Sequence, residues 1–102
     1  MLILFKENLL ERITADRAFT GGYSSTVVSA YRGRIQLLRA APQEEALREL
    51  RSLRMERCGN GAHSMRVTDA WELILGFEDS EDGRVAVVEA MVERTGKEHN
   101  EG

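Results

Sequence analysis

The spacing of apolar residues divides the chain into a helical first half and a strand-rich second half. Leu2 to Phe5 is a short apolar run that suits a buried strand. In Lys6 to Ile13, Leu9, Leu10 and Ile13 fall on one helical face. Thr20-Gly21-Gly22 breaks the pattern, and Tyr23-Ser24-Ser25 offers helix caps. From there to about Ala41, the residues Val27, Val28, Tyr31, Ile35 and Leu38 recur at three- and four-residue steps, which predicts a longer amphipathic helix. Gly33 lies inside it at a cost of about 1 kcal/mol relative to alanine, and close packing against a sheet is the expected reason for it. Pro42 ends the helix, because the residue before a proline is pushed out of the α region. Gln43 to Leu53 predicts a further short helix or turn with Ala46, Leu47 and Leu50 inward.

Beyond residue 53 the period falls to two. Arg54-Met55-Glu56-Arg57 suits a short strand, and Cys58-Gly59-Asn60-Gly61 a turn. Three strands are predicted at about 62–67, 70–78 and 85–92, with Asp79-Ser80-Glu81-Asp82-Gly83 as the loop between the last two. Short connections between successive strands imply an antiparallel meander. The expected class is α+β: an N-terminal strand and two or three helices packed on a small antiparallel sheet. Residues 1–93 read as one domain, and 94–102 as a polar tail expected to be flexible.

Composition narrows the function classes. A chain of 102 residues can hold one modest core, and 42% apolar with 30% charged residues is ordinary for a globular protein. The longest apolar runs, Leu73-Ile74-Leu75 and Val85 to Val88, are far too short to span a membrane. Met1 to Phe5 lacks the features of a signal peptide. One cysteine, Cys58, and two histidines make neither a closed zinc site nor a disulfide framework. A cytoplasmic protein with no metal, no cofactor and no membrane contact is therefore expected. The net charge is −3, whereas nucleic-acid-binding proteins usually carry a basic excess. The charge is unevenly spread, however. Residues 32–66 hold eight arginines and only four acids, and the acids gather from Glu72 to Glu93 and in the tail. That distribution allows a one-sided basic patch or a mixed solubilising surface.

The richest stretch for chemistry runs from Ala62 to Asp79. Its first strand alternates, with Ser64 and Arg66 on one face and His63, Met65 and Val67 on the other. Thr68-Asp69-Ala70 supplies a tight turn, and Trp71 opens the second strand. An arginine held in mid-strand by a stiff sheet suits phosphate recognition. Its ordinary alternative is a solvated arginine on an open sheet face.

The run His63-Ser64-Met65-Arg66-Val67-Thr68-Asp69-Ala70-Trp71-Glu72-Leu73 resembles a pattern of an aromatic residue, Ser-x-Arg-Val, a polar turn, an aromatic residue, Arg and Leu. That pattern belongs to the RelE/ParE superfamily of bacterial type II toxins, and most closely to its HigB-like branch. Leu53-Arg54-Met55-Glu56 and Gly59-Asn60 before it, and the strand 85–92 after it, fit the same pattern. The resemblance covers about residues 2–93. It implies a toxin that enters the ribosomal A site, cuts mRNA without a metal and inhibits translation. It also implies a cognate antitoxin, often a helix-turn-helix protein. ParE-side relatives poison DNA gyrase instead, so a toxin-fold protein without nuclease activity stays open as an alternative. On this resemblance Arg66 is the phosphate-binding catalytic residue, with a guanidinium suited to clamp phosphate oxygens. His63 or His99 is the candidate acid or base, and Arg94 replaces a basic residue near the last strand. Arg54, Arg57 and Lys97 are candidate substrate contacts. Two departures stand out. Glu72 occupies a position where the family has arginine, and Met91-Val92-Glu93-Arg94 stands where the HigB-like branch has Asp-Tyr-His.

Overall fold

The two periodicities separate into two layers, helices over one face of a sheet. The computed structural model describes residues 1–94, which have the α+β architecture expected from the element order. Strand β1 (Leu2–Phe5) leads into helices α1 (Asn8–Ala15) and α2 (Ser25–Ala40) and the short α3 (Glu44–Arg48). Strands β2 (Glu56–Arg57), β3 (His63–Arg66), β4 (Trp71–Ser80) and β5 (Gly83–Glu93) follow. The sheet order is β1-β5-β4-β3-β2. Strands β2 to β5 form the antiparallel meander, but β1 runs parallel to β5, with Leu2 opposite Val85 and Phe5 opposite Val88. The sheet is therefore mixed rather than wholly antiparallel. The helices supply the crossover that a parallel pairing needs.

One core lies between the layers. Leu10 and Ile13 of α1 and Val28, Tyr31, Ile35 and Leu38 of α2 meet Met65, Leu73, Leu75, Ala86 and Val88 of the sheet. Burying each large side chain contributes about 1.5–3 kcal/mol. Polar ties fix the helices. The Tyr31 hydroxyl donates to the Leu10 carbonyl at 2.9 Å inside the core. Arg32 donates to the carbonyls of Ile13, Asp16, Arg17 and Phe19, satisfying the C-terminal end of α1. Ser24 caps α2 by accepting from the Val27 amide.

Several positions differ from the sequence expectation. Leu2 and Leu4 are 57% and 56% exposed, because β1 is an edge strand with only one covered face. Leu9 and Leu50 are exposed as well. Leu9 neighbours Leu10 but points off the buried stripe, and Leu50 lies beyond the end of α3. Gly33 packs against nothing, since a Cβ built there would find open space. The β4–β5 hairpin is tighter than a five-residue loop: Ser80 pairs with Gly83, leaving Glu81 and Asp82 as the turn. Gly83 adopts φ of +117°, a region open chiefly to glycine.

Candidate functional site

The uncovered face of the sheet is apolar along β1 and β5 and polar toward β2. Register creates this division. Opposite residues of an antiparallel pair share a face, so Glu56 of β2 stands beside Ser64 of β3, and Arg66 of β3 beside Glu72 of β4. These four side chains, with Arg54 from the β2 approach and Arg94 beyond β5, line a hollow of about 80 Å³. Three guanidinium groups against two carboxylates leave it one positive charge in excess.

Arg66 is held from behind. Arg34 of α2 donates from Nε to the Arg66 carbonyl at 2.8 Å and from Nη2 to the Val67 carbonyl at 3.4 Å. The following turn is closed by the Thr68 hydroxyl, which accepts from the Ala70 and Trp71 amides. The strand end that carries Arg66 is thus clamped to helix and turn. Its guanidinium is less constrained. It lies 3.8 Å from Asp69, whose side chain is fully exposed, and a screened pair of that kind is worth little.

Arg94 is more heavily engaged. Its amide extends the β4–β5 ladder to the Ala70 carbonyl at 2.6 Å. Its Nη1 donates to the Asp69 carbonyl at 2.8 Å, and its Nε lies 3.6 Å from the Glu72 carboxylate. Arg94 therefore partly neutralises Glu72 and has fewer donors left for a ligand. Arg54 adopts the left-handed conformation at φ of +46°, which brings it out of the strand line and to the rim of the hollow. Glu56 makes no ion pair among the described residues.

The hollow thus gathers three of the sequence-predicted site residues, Arg54, Arg66 and Arg94. His63 and Arg57 do not join them. They face each other across β2 and β3 on the opposite, helix-covered side of the sheet. His63 is three residues from Arg66, and an odd step along a strand reverses the face. His63 is 8% exposed, edge-to-face with Phe77, and its Nε2 lies 3.1 Å from Arg48 Nη2. Burial, then the charges of Arg48 and Arg57, push its pKa below the ordinary value, with Glu44 opposing. As an acid or base for chemistry at Arg66 it is on the wrong side of the sheet. Lys97 and His99 lie outside the described residues. Sequence reasoning missed Glu56 as a partner of Arg66. Only the pairing of Glu56 with Ser64 reveals it, because Ser64 shares its face with Arg66.

No protein-family model, curated protein or solved structure matches the chain. Among the described residues, no helix is long and apolar enough to cross a membrane. No cluster of three or more histidine, cysteine or acidic side chains is placed to hold a metal among them. What the site can do chemically follows from its own groups. Arginines on a stiff frame bind a phosphodiester, and a neighbouring unpaired carboxylate accepts a proton.

Proposed function

We propose that the chain is the toxin of a bacterial type II toxin–antitoxin pair, RelE/HigB-like, acting in the cytoplasm as an mRNA endoribonuclease on the ribosome. A cognate antitoxin, of the helix-turn-helix kind, holds it in check. The observation that supports this most is the meeting of Arg54, Arg66 and Arg94 with Glu56 in one small hollow on the open sheet face. In this mechanism Arg66 and Arg54 grip the scissile phosphate and stabilise the charge that builds on its oxygens. Glu56 takes the proton of the adjacent ribose 2′-hydroxyl. That oxygen attacks phosphorus, the bond to the 5′-oxygen breaks, and the leaving oxygen takes a proton from water. The products are a 2′,3′-cyclic phosphate and a free 5′-hydroxyl.

A second reading, a toxin-fold protein that binds its target without cutting RNA, gyrase among the targets, is favoured by one feature. Glu72 stands directly beside Arg66 and occupies Arg94. A carboxylate there repels the phosphate, and losing one stabilising donor in an active site generally costs about 10²–10³ in rate.

The test is Arg66→Ala. Induced in a bacterial host, the wild type is expected to arrest growth with cleavage of ribosome-bound mRNA, and Arg66→Ala to relieve both. Arrest that persists unchanged in the variant removes Arg66 from the mechanism. Arrest by the wild type with intact mRNA decides for the second reading.

A further inference from the structure

The sheet has one guarded edge and one open edge. At the guarded edge, β2 is only two residues long, both charged and exposed, and Arg54 turns the chain in the left-handed conformation just before it. Short length and charge of that kind block further pairing. The β1 edge has none of these devices. Leu2-Ile3-Leu4-Phe5 holds no charge and no proline, and it pairs with β5 without a bulge. Leu2 and Leu4, on the open sheet face, are the most exposed large apolar side chains among the described residues.

Register fixes which backbone groups β1 still offers. The Lys6 amide donates to the Val88 carbonyl at 2.9 Å. Alternate residues of a strand turn their amide and carbonyl to the same side. Leu2, Leu4 and Lys6 therefore turn theirs to β5, and Ile3 and Phe5 turn theirs outward. No turn or loop backbone meets these four groups among the described residues. A groove of about 460 Å³ runs along this edge, floored by Ile3, Leu4, Phe5 and Val87 and rimmed by Lys6, Glu11 and Glu78.

We infer that β1 of a second copy of this chain fills the groove, antiparallel to the first, and joins two five-stranded sheets edge to edge. The strand is complementary to itself. With Leu4 on the two-fold axis, Ile3 of each copy stands opposite Phe5 of the other. Both pairs exchange two hydrogen bonds, so all four outward groups of each copy are satisfied. Registers that set Ile3 on Ile3 or Phe5 on Phe5 satisfy half of them. The same register lays Leu4 against Leu4 on the open face and sets Lys6 opposite Leu2, where its stem covers the exposed leucine. Charge follows the same symmetry. Glu78 lies in the Leu2 row, across Val85, so Lys6 of each copy comes to the end of the sheet where the other carries Glu78. Within its own chain Lys6 gives up only a solvent-exposed contact with Glu89 at 3.9 Å. Because the β2 edge is guarded, the contact is isologous and closes at two copies instead of running on into a filament. The axis stands perpendicular to the sheet, so both arginine hollows look the same way. Nothing in the dimer depends on what those hollows bind.

The experiment is sedimentation equilibrium of the full chain from about 1 to 300 µM, paired with cysteine cross-linking. The wild type is expected to dimerise within that range. Leu4→Lys sets two ammonium groups on the axis and is expected to weaken the dimer about 100-fold or more. Leu4 is exposed, so this variant is expected to keep the wild-type melting temperature within a few degrees. Cross-linking reads the register independently of that variant. Cys58 is free and exposed, so the background is Cys58→Ser. There Leu4→Cys meets its own copy at about 4.5 Å between Cα atoms, within reach of a disulfide, and is expected to form a covalent dimer under mild oxidation. Leu2→Cys lies about 13 Å from its own copy and is expected to stay uncrosslinked. A wild type that is monomeric throughout overturns the inference and leaves the edge to a strand of a different protein. So does a dimer indifferent to Leu4→Lys, or cross-linking of Leu2→Cys as fast as that of Leu4→Cys.

Discussion

His63 meets its neighbours with one nitrogen satisfied and one not. Nε2 lies against Arg48, while Nδ1 is buried without a hydrogen-bond partner. Beside the Arg48 cation, Nε2 is the acceptor, so the ring is neutral in the folded protein. Protonation would place a cation in a buried site beside two arginines, which is why its pKa is depressed. The sign of the linkage follows. Above the unfolded value near 6.5 both states are neutral and His63 contributes nothing to the pH dependence. As pH falls below that value, the unfolded chain takes up the proton first and stability is lost, about 1.4 kcal/mol per pKa unit of depression. The urea midpoint is expected to fall between pH 7 and pH 5.5, and His63→Phe to flatten that part of the profile. A midpoint that rises on acidification would show a charged, stabilised imidazolium instead. At this scale the sequence was informative about faces. The alternation that set Ser64 and Arg66 against His63, Met65 and Val67 is the one observed. It was silent on partners, because Arg48 reaches His63 from another element 15 residues away.

Between elements, the main polar tie joins α3 to the β4–β5 hairpin. Arg84 at the start of β5 donates from Nε and Nη2 to the two Glu44 carboxylate oxygens at 2.9 and 2.6 Å, and from Nη1 to Asp79 at 2.9 Å. These hydrogen bonds hold the Glu44 pKa down to about 2, against the opposing effect of burial. Because the folded value is depressed, the stabilisation is complete above about pH 4.5 and is lost as pH falls toward 2. Glu44→Gln is expected to cost about 2 kcal/mol in urea denaturation at pH 7 and to remove that acid-side slope. An unchanged midpoint would mean that α3 is held by Leu47 alone. Element type was legible wherever apolar period and caps agreed, as for α2 between Ser24 and Pro42. Element environment was less so. An apolar run such as Leu2 to Phe5 reads the same in a central strand and at an edge, and only the parallel pairing to β5 exposes one face. The register shift opposite Ile74 and Leu75, which leaves Glu89 unpaired, has no signature in a two-residue period.

Across the whole molecule, net charge is a poor guide because opposite signs are segregated. The sheet hollow is locally cationic, while the hairpin tip carries Asp79, Glu81 and Asp82. Segregation of this kind lets a chain of charge −3 meet a polyanion with one face and repel it with another. Glu72 is where the two tendencies collide, since it is the carboxylate paired in register with Arg66. Replacing it by arginine raises the excess charge of the hollow from one to three and frees the Arg94 guanidinium from its carboxylate partner. Arg94 keeps its bond to the Asp69 carbonyl, so the hollow retains its shape. Glu72→Arg is therefore expected to bind inorganic phosphate more tightly and, on the proposed nuclease reading, to raise ribosome-dependent mRNA cleavage by about 10²-fold or more, the scale of one restored stabilising donor. Both are measurable on one preparation, by phosphate titration and by cleavage of a defined message on purified ribosomes. Tighter phosphate binding with no gain in cleavage would place the deficit in proton transfer at Glu56 and at the leaving oxygen, not in the charge of the hollow. Loss of phosphate binding would mean that Glu72 holds the three arginines apart, and that their convergence depends on the carboxylate between them.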